Sequence, residues 1–185
     1  EEGKTAAAKT KAPKKGDGKE EKSNLDLTGF NELYIKGEQA YNKREYAKAI
    51  ELFSQALKIN PQSNYAFIYR GLAYGELKEY EKEINDYDEA ININKNYYLP
   101  YYNKGTALND LGKYKEAITT FDEAIRCDPS YYNSYISKAL ALSKLGRYQE
   151  ALDENEKAMA LNNELVWNNK GSYLEDLGKN EEALK

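Results

Sequence analysis

From about Phe30 onward, this chain repeats itself with a step of 34 residues. Gly37, Gly71 and Gly105 stand one step apart, Ala56, Ala90, Ala124 and Ala158 keep the same interval, and Tyr46, Tyr80, Tyr114 and Tyr148 form a third series. Three independent series with one period do not arise from composition. A fixed step of this length marks a repeat architecture, in which one supersecondary unit cannot cover its own apolar face and neighbouring units must stack.

Within a unit the apolar residues fall three or four apart, as in Leu111, Tyr114, Ala117, Ile118 and Phe121, which is the spacing of one helix face. Two such stretches are separated by breaks such as Leu111-Gly112-Lys113 and Leu145-Gly146-Arg147, where glycine can take the left-handed conformation that ends a helix. Asn60-Pro61 and Asp128-Pro129 should close the second helix, because a helix rarely continues through the residue before proline. The small residues Gly37, Gly71, Gly105 and Ala139 should let paired helices approach closely. Hydrophobic residues make up 41% of the 185, enough for a packed core, and only four Pro interrupt a helix-favouring composition.

The order of these residues resembles the tetratricopeptide repeat family, a helix–turn–helix unit. The unit at 98–131 carries Tyr101, Gly105, Leu108, Ala117, Phe121, Ala124 and Pro129 in the family's order. The unit at 30–63 offers Leu33, Gly37, Ala40, Ala49, Phe53, Ala56 and Pro61, and the unit at 64–97 offers Phe67, Gly71, Tyr74, Tyr87 and Ala90. A fourth unit, 132–163, is two residues short and has Tyr135, Ala139, Leu142, Ala151 and Ala158. A fifth, 164–185, has Trp167, Gly171, Leu174 and Ala183 before the sequence stops inside a second helix, so a longer parent chain is expected. The resemblance implies an all-α fold, a right-handed superhelical solenoid of about four and a half stacked helix pairs over residues 25–185. Two departures stand out. Glu83 occupies the place of Ala49, Ala117 and Ala151, so its removal to Ala should relieve the second unit. Asn155 replaces the ring seen at Phe53, Tyr87 and Phe121, which should weaken the fourth.

Residues 1–24 read differently. Six Lys stand against one Asp between Lys4 and Lys19, and no aromatic residue appears before Phe30, so this stretch reads as a disordered, solvated tail. The formal net charge of the whole chain is only −4, which gives no strong pull toward nucleic acid or an anionic membrane. No apolar run reaches spanning length. The one cysteine, Cys127, has no intramolecular partner, and no Asn-x-Ser/Thr acceptor occurs, so a cytoplasmic setting is expected, with ciliary or cytoskeletal assemblies as alternatives. The chain has no histidine, Cys127 has no base to activate it, and Lys104-Gly105 lacks a glycine-rich loop before it. An enzyme is therefore not expected, nor a cofactor, a metal or a small-molecule substrate.

The resemblance places the functional surface on the inner face of each first helix. Its candidate groove residues here are Tyr34, Ile35 and Tyr41 in the first unit and Tyr65, Ile68, Tyr69 and Leu72 in the second. Tyr102, Asn103 and Asn109 follow in the third, Ile136 in the fourth, and Asn168 and Asn169 in the fifth. Family members that grip the acidic tails of heat-shock chaperones use a clamp of Lys, Asn and Arg at such positions. The corresponding residues here are Tyr34, Glu38, Tyr69, Leu99 and Asn103, and the later frames also lack the cations, which argues against that class. Tyr supplies amphipathic contact area at low entropy cost, and Asn can pair with a peptide backbone in both directions. The expected partner is thus a peptide or helical segment of another protein, held in the groove of a scaffold. The alternatives are a structural subunit that uses its convex face and tail, and an accessory domain of a longer enzyme or co-chaperone.

Overall fold

A computed structural model describes residues 21–161, and among these it contains eight α-helices and no strand. They are α1 (Glu21–Asn42), α2 (Tyr46–Ile59), α3 (Asn64–Glu76), α4 (Tyr80–Ile93), α5 (Tyr98–Asp110), α6 (Tyr114–Cys127), α7 (Tyr132–Lys144) and α8 (Tyr148–Leu161). Helix α1 opens at Glu21, inside the segment read as tail. The rest of that segment, and the fifth unit with Trp167, Asn168 and Asn169, lie outside the described residues.

Odd and even helices pair as α1/α2, α3/α4, α5/α6 and α7/α8, and each even helix then packs on the following odd one. Consecutive odd helices also touch one another, α1 on α3, α3 on α5 and α5 on α7. A stack whose first helices meet side by side curves toward them, so these helices line the inside of an all-α solenoid.

The turns between paired helices are built alike. Arg44, Lys78, Gly112 and Gly146 occupy the same place at φ 62°, 60°, 72° and 74°. In each, the next residue's N–H reaches back five positions, as from Glu45 to Ala40 O at 2.9 Å and from Lys113 to Leu108 O at 2.9 Å, which satisfies the last carbonyls of the helix. The glycines anticipated in two of the turns are therefore replaced by Arg and Lys in the others, with the backbone shape unchanged.

The second helices end by a different device from the one proline suggests. Asn60, Asn94 and Asp128 cap α2, α4 and α6, and each side chain accepts from the N–H two residues on, at 3.1, 3.1 and 3.0 Å. Asn94 is followed by Lys95, so the Asx residue makes the common turn and proline only accompanies it in two units.

The close approach of paired helices depends on matched sizes. A Cβ added to Gly37 would stand 2.7 Å from Phe53, one on Gly71 2.8 Å from Tyr87, and one on Gly105 2.5 Å from Phe121. In the fourth unit Ala139 faces this position and the ring is replaced by Asn155, fully buried with neither side-chain polar atom partnered. The fourth core thus holds a small buried amide where the others hold a ring, with an unpaired polar group as its penalty. Glu83 shows the same matching. Its carboxylate occupies the space above Gly75, where a Cβ would fall 2.5 Å from Glu83 Oε1, and Tyr87 Oη donates to it at 3.1 Å. At 7% exposure Glu83 is a buried acceptor with a glycine to make room for it, which argues for a loss rather than a gain of stability on its change to alanine.

Candidate functional site

Along the inside of the solenoid, the candidate residues divide into three kinds. Ile35 at 51% exposure and Tyr65 at 45% stand free on the surface. Tyr34, Tyr41, Tyr69, Leu72, Tyr102, Asn103, Asn109 and Ile136 are half-buried and present one side. Ile68 is 2% exposed and belongs to the core, since the turn of α3 that lays Tyr69 on the surface points its neighbour inward.

The half-buried tyrosines form a cluster over the first core. Tyr34 meets Phe53 edge-on at 5.7 Å and Tyr69 at 5.9 Å with the rings 89° apart. Tyr41 meets Tyr69 at 6.0 Å and 82°, and Tyr46 at 5.6 Å. Two carboxylates, half-buried Glu38 and exposed Glu76, act on these rings. Burial, and then the Glu38 carboxylate beside it, pushes the Tyr34 hydroxyl far above the ordinary tyrosine range, and the same two causes push Tyr69 up to about 12. Burial followed by Glu76 raises Tyr41 and Tyr46.

A second group of rings continues the strip across the next two units. Tyr65 packs on Tyr97 at 5.9 Å, Tyr97 on Tyr98 at 5.6 Å, Tyr98 on Tyr131 at 4.5 Å and Tyr131 on Tyr102 at 5.0 Å. Tyr97, Tyr98 and Tyr131 were not among the sequence candidates. Their signal was present, because Tyr97 and Tyr131 stand 34 residues apart at the end of their units. Beyond the rings, Asn109 Nδ2 donates to Ser137 O at 3.2 Å and ties the third unit to the fourth, while its Oδ1 stays buried without a partner. Leu140, 44% exposed, extends the apolar surface on α7.

A second periodic set holds the units in register. Lys36, Arg70, Lys104 and Lys138 recur at the 34-residue step. Arg70 forks onto Asp86 at 2.7 and 2.8 Å and reaches Ser54 in the preceding unit at 3.0 Å. Lys104 bonds Asp88 at 2.5 Å, and Lys138 bridges Asp122 at 2.7 Å and Glu154 at 3.0 Å. Arg70, Lys104 and Lys138 thus look sixteen residues forward or back, to their own second helix or the preceding one, while Lys36 pairs with Glu32 on its own helix at 2.6 Å. Burial holds the Asp86 carboxyl above its usual range even with Arg70 against it, so this pair is a registration device with a desolvation penalty.

The remaining groups offer little for catalysis. Cys127 donates to Lys95 O at 3.5 Å, and burial pushes its thiol up, away from the thiolate a nucleophile needs. Among the described residues no group of His, Cys, Asp and Glu is placed to hold a metal, and no helix is long and apolar enough to cross a membrane.

Tetratricopeptide repeat sequence families match residues 30–63, 68–97, 98–131 and 120–153. No curated protein matches the chain. Among solved structures, the MamA protein superposes with a TM-score of 0.74 at 19% identity, over 84% of this chain and 86% of that one. YrrB, described as having an unusual peptide-binding site, gives 0.66 at 20% identity over 77% and 73%. The first repeat domain of Spaghetti (RPAP3), solved with an HSP90 peptide, gives 0.62 at 21% identity over 64% and 94%. At these identities the likeness is one of fold.

Proposed function

The chain belongs to the tetratricopeptide repeat family, and from that premise we propose that it is a protein–protein interaction scaffold holding an extended or helical segment of a partner against its first helices. The observation that carries this reading is the strip of two tyrosine clusters, one of Tyr34, Tyr41 and Tyr69 and one running from Tyr65 to Tyr131, with Ile35, Tyr65 and Leu140 exposed along it. Half-buried rings fixed by their neighbours have little rotamer freedom left to lose, so contact with them carries a small ordering penalty. The fold it shares with YrrB and with the peptide-bound domain of RPAP3 supports a groove of this kind. The chaperone-tail clamp does not carry over, because Tyr34, Glu38, Tyr69, Leu99 and Asn103 stand where its cations and amides would be. The proposed role is binding without catalysis, in a reducing compartment such as the cytoplasm, where a lone Cys127 stays a thiol.

A photo-crosslinking amino acid placed in turn at Ile35, Tyr65 and Leu140, and at Glu51 on α2 as a control, tests the groove directly in cell extract. Crosslinks to one shared partner from the three inner positions and none from Glu51 are the expected result. A partner captured from Glu51 alone would move the binding surface to the second helices.

A further inference from the structure

We infer that the groove between the first and second units takes a cationic partner, an Arg or Lys side chain carried on an extended peptide, seated among Tyr34, Tyr41 and Tyr69 with Glu38 and Glu76 as its counter-charges. The inference rests on the groove reading above and adds the chemical class of the occupant.

Two independent observations converge on it. The first is charge. Of the inner-face positions in units one to four, Glu38, Glu76 and Asp110 are negative and Lys144 is the one cation. Several carboxylates between neighbouring helices have a cation: Asp86 has Arg70, and Asp122 and Glu154 share Lys138. Glu38 stands one turn along α1 from Tyr34, and Glu76 ends α3 beyond Tyr69, and both carboxylates act on the tyrosine hydroxyls around them without a cation of their own among the ion pairs of the described residues. Arg44, at the turn, is a cation that acts on Tyr46.

The second is ring geometry. Tyr34 and Tyr41 each stand nearly perpendicular to Tyr69, at 89° and 82°, so the three rings make the walls of a corner. Two carboxylates beside the rings repel an anionic ligand. Ring faces beside a carboxylate attract a guanidinium or ammonium, and the half-desolvated setting strengthens that attraction. Ile35 and Tyr65, exposed on either side, suit the aliphatic stem of the cation and its apolar neighbours.

The test uses the full 185-residue chain and four dodecapeptide pools, randomised except for a central Arg, Lys, Ala or Glu. Retention of the Arg and Lys pools about ten-fold above the Ala pool, with the Glu pool lowest, is expected, and the preference should shrink with added salt. The Glu38→Gln/Glu76→Gln variant keeps acceptors for the tyrosine hydroxyls and removes only charge. Once its melting curve shows it folded, it should lose the preference. Equal retention of all four pools by both proteins, abolished by Ile35→Asp with Tyr65→Asp, would overturn the cationic assignment and leave the groove standing. No retention of any pool, or retention unaffected by those aspartates, would defeat the groove reading itself. A preference seen only after Lys4, Lys9, Lys11, Lys14, Lys15 and Lys19 are changed to Gln would overturn a separate partner in favour of the chain's own lysines.

Discussion

Single residues in this array are legible only in pairs. Gly37, Gly71 and Gly105 are small because Phe53, Tyr87 and Phe121 are large, and Ala139 is tolerated because Asn155 is not a ring. Gly75 is matched in the same way to Glu83. Changing Glu83 to Ala removes the acceptor of the Tyr87 hydroxyl, which is fully buried, and opens a void over Gly75. The variant should therefore be destabilised by about 1–3 kcal/mol, measured as a lower urea midpoint. An unchanged or higher midpoint would show that the carboxylate is strained after all. Read one position at a time, Glu83 looked like a defect, because the size of its partner at Gly75 is not part of its own column in the repeat.

At the level of the helix pair, the left-handed turn residue is the variable that matters. Gly112 and Gly146 take φ above 70° freely, while Arg44 and Lys78 hold nearly the same shape against the steric preference of a side chain. Lys78→Gly should raise stability by about 1 kcal/mol, and Gly112→Ala should lower it by a similar amount. A Cβ at Gly112 meets nothing within 4 Å, so this second loss would measure backbone strain alone. Opposite shifts in the denaturation midpoint are the expected pattern, and two shifts of the same sign would sink it. The turn's place was visible in the sequence from its glycines. That the backbone keeps its shape without them follows from the same pair of hydrogen bonds recurring in all four turns.

Across the whole molecule, the tyrosine strip makes stability depend on alkaline pH. A tyrosine whose folded pKa lies above its ordinary 10.0 stays protonated in the native state while the unfolded chain releases its proton. Stability from these groups is fully present below about pH 10 and is lost as pH rises above it, through about 12 for Tyr69 and Tyr131. Tyr34, Tyr41, Tyr87 and Tyr97 are raised in the same direction, chiefly by burial, so the losses add. The melting temperature should be flat toward neutrality and fall steeply from pH 10 to 12, with the last part of the tyrosinate absorbance, that of the buried rings, appearing together with loss of helix. Tyrosinate absorbance reaching its full value while helix content stays constant would contradict the burial of these rings.

The 34-residue step alone determined that this chain is a stack of helix pairs, because one period imposes one unit and one unit cannot bury its own face. It also placed the first helices' tyrosines on one side, since equivalent positions in a stack face the same way. It could not decide what a side chain meets across a unit boundary. Ile68 passed into the core, Tyr97 and Tyr131 joined the rings, and Arg70, Lys104 and Lys138 of the periodic cations reached the second helices while Lys36 stayed on its own helix. Those outcomes depend on residues sixteen or more positions away, brought close by packing, and a repeat pattern read along the chain contains positions but no distances.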